Sequence, residues 1–333
     1  MAYTVWGAFD WFRKNIVDLD PDQTKTARKS RDNLCSELKA LSDKKVDFPR
    51  LTGSCQSFGS FSRRTKIRPL DDIDLLVILN GRDTRETSTS TAYQYWLYLK
   101  SGDAPLAPFN DGHGYVSSIK VLNRIRDRLR DVSDYYKADI KRNQETVRLE
   151  LLSYDWVYDI VPAVGIVDSN GNTLYYLIPD GKGEWKRTDP RRDQKITTDI
   201  NNQHSGEFLP VVRLLKYWNK RTTKPVLQPY YFETLVNQVF DYGTKITSYQ
   251  AAVKYFFDTS WIYLDSSCAD PKGLGPNLDA DVSADTKRSV KSGMSDAAKH
   301  AGYAITYEAQ NNHKDAISWW RQVFGPKFPE YGS

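Results

Sequence analysis

The sequence predicts an α+β protein whose first part mixes strands and helices around a sheet and whose last third is helical. Three observations carry this. Asp72–Leu79 holds an unbroken apolar run, LLVIL, that reads as a buried strand. A second apolar run, residues 156–161, repeats the pattern. From Leu209, LPVVRLLKYWNK places apolar residues at helical spacing, and most of the remaining chain does the same. A length of 333 residues suggests about two domains. The expected division is a sheet lobe over 1–200, including bridging N-terminal helices, and a helical lobe over 201–333.

The elements are taken in chain order. Val5, Phe9, Phe12 and Ile16 recur at roughly helical spacing, giving a helix over 5–17 whose apolar stripe should strap the lobes together. A second helix is predicted over 22–41, with Leu34, Leu38 and Leu41 on one face and Lys25, Arg28, Lys29 and Arg31 on the other. Phe48-Pro49 breaks it, and a loop rich in small residues, LTGSCQSFGSFSRRT, leads into the Asp72–Leu79 strand. Polar 84–91 reads as a surface loop. Residues 119–130 form a basic amphipathic helix with Ile119, Leu122, Ile125 and Leu129 as its apolar side. Strands are expected over 147–152, over 156–161 with a stop at Pro162, and more weakly over 173–178. The polar, Gly-containing stretch 179–206 reads as the link between lobes. Helices over 209–220 and 231–240 are separated by Pro225 and Pro229, and 270–281 is a loop within the helical remainder.

Composition narrows the function classes. With 40% apolar and 27% charged residues the chain is an ordinary globular protein. Its net charge of +5 suits a protein that handles phosphates and falls short of a basic nucleic-acid-binding domain. The three cysteines, Cys35, Cys55 and Cys268, have no paired spacing, which points to a reducing, cytoplasmic setting and away from a disulfide framework. No signal peptide, membrane span or internal repeat is visible. No phosphate-binding G-x-x-x-x-G-K-[ST] loop is present either.

The chemistry lies in Gly59-Ser60, then Asp72-Ile73-Asp74 opening an apolar strand, then Asp159 inside WVYDIVPAV. Side chains two apart on a strand share a face, so Asp72 and Asp74 project together while Asp71 points away. Two carboxylates held together are costly without a cation, and Mg²⁺ prefers a few carboxylates plus substrate phosphates. Asp159 would add a third from an adjacent strand. Such a triad suits two-metal phosphoryl transfer, one ion activating an attacking hydroxyl and the other steadying the leaving pyrophosphate. Gly59 would let backbone N–H groups approach a phosphate, and Ser60 adds a hydroxyl. Taken singly, each feature is ordinary: Asp-x-Asp usually marks a solvated turn, and a lone Asp159 could be an ion-paired structural acid. The combination points to a site.

These residues, Gly59-Ser60-Phe-Ser-Arg-Arg-Thr65, Asp72-Ile-Asp74 and Tyr158-Asp159-Ile-Val-Pro162, resemble those of the polymerase-β-type nucleotidyltransferases. More narrowly the chain is similar to the bacterial CD-NTases, relatives of cyclic GMP–AMP synthase and oligoadenylate synthase. The string RTKIRPLDDIDLLV is especially similar. The likeness continues through Gly183-Glu184-Trp185, Thr188-Asp189-Pro190 and LLKYW to Phe324-Gly325 and Phe328-Pro329, nearly the whole chain. The resemblance implies a polymerase-β-like sheet lobe followed by an oligoadenylate-synthase-like helical lobe, with the active-site cleft between them. It implies a pair of Mg²⁺ ions, replaceable by Mn²⁺. ATP and a second NTP would become a cyclic di- or trinucleotide messenger plus pyrophosphate, activating an effector in anti-phage (CBASS) signalling. At matching positions Asp72, Asp74 and Asp159 would be the catalytic metal ligands, and Gly59 and Ser60 would hold the donor triphosphate. Lys216 would reach its outer oxygens, and Tyr230 would stack on the donor base. Without the resemblance Lys216 reads as a solvated helix lysine and Tyr230 as core packing. One departure is Pro229, which stands where relatives often carry a serine and offers no donor.

Other features are bland. Arg63, Arg64, Lys66 and Arg68 flank the site, but a charge run is more often a solvated face. Asp127 and Asp131 interrupt the basic helix at 124–130. The histidines, His113, His204, His300 and His313, are dispersed, so no zinc motif appears and no double-stranded DNA activator is expected. The alternatives are a linear nucleotidyltransferase, such as an oligoadenylate synthase or RNA-tailing enzyme, and a degenerate fold used as a binding module. Mild charge disfavours the first, and three intact acids disfavour the second.

Overall fold

The computed structural model describes residues 2–53, 55–220, 225–243 and 245–333. The chain opens with α1 (Val5–Phe12), a π-helical turn (Arg13–Val17), α2 (Pro21–Lys44), β1 (Gln56–Phe58) and the short α3 (Gly59–Ser62). Then come β2 (Asp72–Leu79), β3 (Thr84–Ser88), β4 (Tyr95–Leu99), α4 (Ser118–Leu129), β5 (Asp139–Asn143) and β6 (Thr146–Glu150). β7 (Val157–Val167), β8 (Thr173–Pro179), β9 (Trp185–Thr188) and α5 (Pro190–Gln203) come next. The last elements are α6 (Phe208–Lys220), α7 (Pro229–Phe240), α8 (Tyr249–Asp265), α9 (Ala284–Ala309) and α10 (His313–Phe324). The chain is thus a mixed α+β protein with a central sheet and a helical C-terminal region. No helix among the described residues is long and apolar enough to cross a membrane.

Two compact units emerge, one comprising Pro21–Ser62 and Leu70–Arg191, the other the chain up to Asp20, Arg63–Pro69 and Arg192–Ser333. The first contains the sheet, in the order β1-β2-β7-β8-β9-β4-β3, with the β5–β6 hairpin joined through β6 to β7. β2 and β7 run parallel, and the other pairings are antiparallel. Alternation along β2 sorts its two faces. Ile73, Leu75, Val77 and Leu79 are buried on one, whereas Asp72 and Asp74 are half-buried on the other. Tyr158, the register partner of Ile73, hydrogen-bonds the Ala27 carbonyl of α2 at 3.5 Å, so the apolar face is the one covered by that helix. Leu76, Val161 and Ala163 pack with Tyr176 and Ile178 on the acid-bearing face, beyond the acids.

In the helical unit α1 buries Val5, Ala8, Phe9 and Phe12. Phe9 meets Trp320 edge-on at 4.9 Å, and Phe12 lies 5.3 Å from Phe324. The first helix, expected to go with the sheet lobe, therefore belongs to the helical unit, because its apolar stripe finds its aromatic partners on α10. The last change from one unit to the other falls between Arg191 and Arg192.

Four expectations need correction. Residues 84–91 are not simply a loop: Thr84–Ser88 is strand β3, an edge strand whose polar side chains stay partly exposed while its backbone pairs with β4. The strand predicted to stop at Pro162 runs on to Val167. Along β7, pairing with β6 reaches only Ile160 and pairing with β8 starts at Val164, so on that edge Pro162 falls in an interval where no ladder calls for an N–H. The stretch 179–206 is no linker, since it contains β9 and α5. The basic helix α4 is less a solvated face than an ion-paired one: Arg124 meets Asp47 at 2.8 Å, and Arg128 bridges Asp47 and Asp131.

Candidate active site

The sheet register assembles the acids. Parallel pairing of β2 with β7 sets Asp74 directly beside Asp159, and Asp72, two residues earlier, shares the face of Asp74. One carboxylate oxygen from each of Asp72, Asp74 and Asp159 lies within 4.8 Å of the other two, and all three residues are half-buried. Among the described residues this is the one group of three or more His, Cys, Asp or Glu side chains so arranged. Its donors are all hard, anionic oxygens, the set that suits a hard divalent cation, and partial exposure leaves room for water or phosphate ligands.

Gly59 belongs to the same place. β1 pairs with β2 so that Phe58 faces Asp74, and the chain then turns at Gly59, whose φ is +70°. A Cβ built on Gly59 would lie 1.8 Å from Oδ2 of Asp74. The glycine is thus needed for its backbone conformation and for the space that Asp74 occupies. Ser60 is the next residue, in the first turn of α3. Gly59→Ala should lower activity at least about tenfold, because the carboxylate must move aside, with an αL strain of about 1 kcal/mol on top. Steady-state rates beside melting curves check this; an Ala variant of near-normal rate would show that Asp74 tolerates displacement.

Sequence reading missed two neighbours of Asp159. Thr146, at the start of β6, places its hydroxyl 3.1 Å from Oδ1 of Asp159. Arg148 is the antiparallel register partner of Asp159, so both side chains leave the same face. A short polar strand such as TVRLE gives no local signal of whose side chains it will face.

The helical unit holds the other two predicted residues. Lys216 is not solvated: it is buried on α6, with its Nζ 2.8 Å from Oε2 of Glu233 on α7. Arg63 reaches Oε1 of the same carboxylate at 2.8 Å through Nε, and the buried Thr65 hydroxyl donates to it at 2.9 Å. Burial pushes the Glu233 carboxyl up, but Arg63 and Lys216 outweigh it and bring it to about 2. Burial, assisted by Arg63 and Lys66, pulls the Lys216 ammonium below its ordinary range against the opposing pull of Glu233. Glu233 was itself legible as an acid inside the apolar run YYFETLV.

Tyr230 is partly buried, and its hydroxyl donates to Oδ1 of Asp193 at 2.6 Å and accepts from Lys272 at 2.6 Å. Lys272 Nζ lies 4.1 Å from its ring centroid, and the Arg63 guanidinium 5.9 Å away. Burial, then the Asp193 carboxylate, raises the Tyr230 phenol, so it stays protonated. Pro229 has a local cause: it is the first residue of α7, where a missing N–H is harmless. His204 is a core histidine, with Nε2 2.9 Å from the Phe240 carbonyl and Nδ1 accepting from Ile246 N.

No protein-family model matches the sequence. A curated relative does: the chain is 39% identical over 335 residues to a probable cyclic nucleotide synthase of Bacillus cereus (strain VD146), covering 99% of each. It is 27% identical to the cyclic AMP-AMP-AMP synthase of an Acinetobacter species over 64% of this chain and 61% of that one. The fold matches the solved structure of E. coli MS115-1 CdnC with ATP at a TM-score of 0.69 and 18% identity, covering 97% of this chain and 98% of that one. With the polymerase-β-like sheet, its acid triad and a full-length relative of this closeness, the chain belongs to the CD-NTases, the nucleotidyltransferases that synthesise cyclic oligonucleotides.

Proposed function

We propose that this enzyme converts ATP and a second NTP, with Mg²⁺, into a cyclic di- or trinucleotide plus pyrophosphate. The product would serve as a messenger for an effector in anti-phage signalling, a role supported by the family resemblance. The observation that carries the chemical reading is the meeting of Asp72, Asp74, Asp159 and Gly59 at one end of the β2–β7 pair. ATP accompanies the E. coli relative, and the Acinetobacter relative is named for an adenosine trimer, which supports ATP as a substrate.

In each bond-forming step a ribose hydroxyl of one nucleotide loses its proton and attacks the α-phosphorus of another, and pyrophosphate leaves. Bound Mg²⁺ ions would lower the hydroxyl's pKa and neutralise the departing charge. The chain's own part is positional. Asp72, Asp74 and Asp159 would hold the metals, while Gly59 and Ser60 would offer a backbone N–H and a hydroxyl to the donor phosphates. Lys216 supplies positive charge for the outer phosphate oxygens, supported by the surplus cation around Glu233. Tyr230 offers a ring whose orientation Asp193 fixes.

The test is chromatography of the products from NTPs and Mg²⁺, before and after phosphatase. Cyclic products have no terminal phosphate and survive; products that lose phosphate would identify a linear polymerase instead. EDTA should stop the reaction. Lys216→Ala should raise KM for ATP more than it lowers kcat, because outer phosphates are held in ground and transition states alike. An unchanged KM would confine Lys216 to the Glu233 ion pair.

A further inference from the structure

We propose that Thr146 is a positioning residue for Asp159, fixing the carboxylate that completes the acid triad. The inference rests on the reading of that triad as the metal site. Asp159 sits in β7 between β2, which brings Asp74, and β6, which brings Arg148. The carboxylate group of an aspartate rotates broadly about its last torsion. Register alone therefore aims the side chain at the correct face without fixing its oxygens.

Thr146 supplies the missing constraint. Its Oγ1 lies 3.1 Å from Oδ1 of Asp159 and 3.2 Å from the Asn143 carbonyl. A threonine hydroxyl carries one proton and donates to one of these at a time. The charged carboxylate is the stronger acceptor. Thr146 begins β6 immediately after a tight turn, in which Gln144 has a φ of +48° and Glu145 is paired with Lys186, and its β-branched side chain is restricted about χ1. The β5–β6 hairpin thus brings a hydroxyl to the Asp159 carboxylate as well as pairing its backbone with β7. Outer partners that orient a metal ligand typically account for 10–100-fold in metal affinity or activity.

The same bond could serve only to close the turn, and the experiment separates the two roles. Mn²⁺ binding to the full chain, with a non-hydrolysable ATP analogue present, is titrated by electron paramagnetic resonance beside steady-state rates and melting curves. Thr146→Val, Thr146→Ala and Thr146→Ser are compared, with Asp159→Asn as reference. Val and Ala should weaken Mn²⁺ binding by about 10-fold or more and lower kcat similarly at unchanged melting temperature, and Ser should restore both. If Asp159→Asn loses Mn²⁺ while Val and Ala bind it within about twofold of wild type, the positioning role is overturned and the metal site stands. If Val and Ala lower only the melting temperature, the hydroxyl is a turn closure and the proposal fails. If Asp159→Asn keeps Mn²⁺ affinity, the metal reading fails first, and the proposal with it.

Discussion

Asp74→Asn is expected to abolish product formation while leaving the protein folded. Asp74 lies beside Asp159 in register, shares its face with Asp72 and fills the space that Gly59 leaves open. An amide of the same shape keeps these neighbours in place but removes one of three clustered negative charges. Metal-assisted stabilisation of a transferring phosphoryl is worth several kcal/mol, so a rate loss of about a thousandfold or more should result. The melting temperature should hold or rise slightly, since clustered carboxylates repel one another without a cation. A variant retaining more than about a tenth of the wild-type rate, a loss below ~1.4 kcal/mol, would remove Asp74 from the site.

Glu233→Ala is expected to give the largest stability loss in the helical unit. Glu233 is almost wholly buried, and its carboxylate accepts from Arg63, Thr65 and Lys216. Removing it strands two buried cations without their shared carboxylate, a situation that costs about 3–5 kcal/mol. For a chain of 333 residues the melting temperature should drop by roughly 4–7 °C. The direction of the shift sets the pH dependence. The folded carboxyl titrates near 2, below its ordinary 4.5, so the folded state binds fewer protons than the unfolded state between those values. Its contribution is complete above about pH 4.5 and is lost as pH falls towards 2. Denaturant titrations of wild type and Glu233→Gln should therefore diverge near neutrality and converge in acid. A gap that does not narrow in acid would mean that the carboxylate's charge is not what holds Arg63 and Lys216.

Much of this protein was written locally. The β2 strand, α6 and α7 arise from apolar runs and helical periodicity that need no distant partner, and the sequence spacing already placed Asp72 and Asp74 on one face. The apolar run WVYDIVPAV likewise offered Asp159 as a third acid on a neighbouring strand. Legibility failed where the deciding interaction lay elsewhere in the chain. β3 is polar, so only its ladder with β4 makes it a strand. β5 has one buried residue, Ile140, too thin a signal for alternation to register.

The sequence by itself determined the fold class, the acid-bearing strands and the Gly59-Ser60 turn, because side-chain period and backbone permissiveness are properties of neighbouring residues. Only the tertiary structure decided which groups meet. The β2–β7 register sets Asp159 beside Asp74, the hairpin turn delivers Thr146 to Asp159, and Glu233 collects Arg63 from 170 residues away along with Lys216. Such pairings are fixed by sheet register and by the requirement that buried charges and donors find partners, and no local pattern in the chain records where those partners will be.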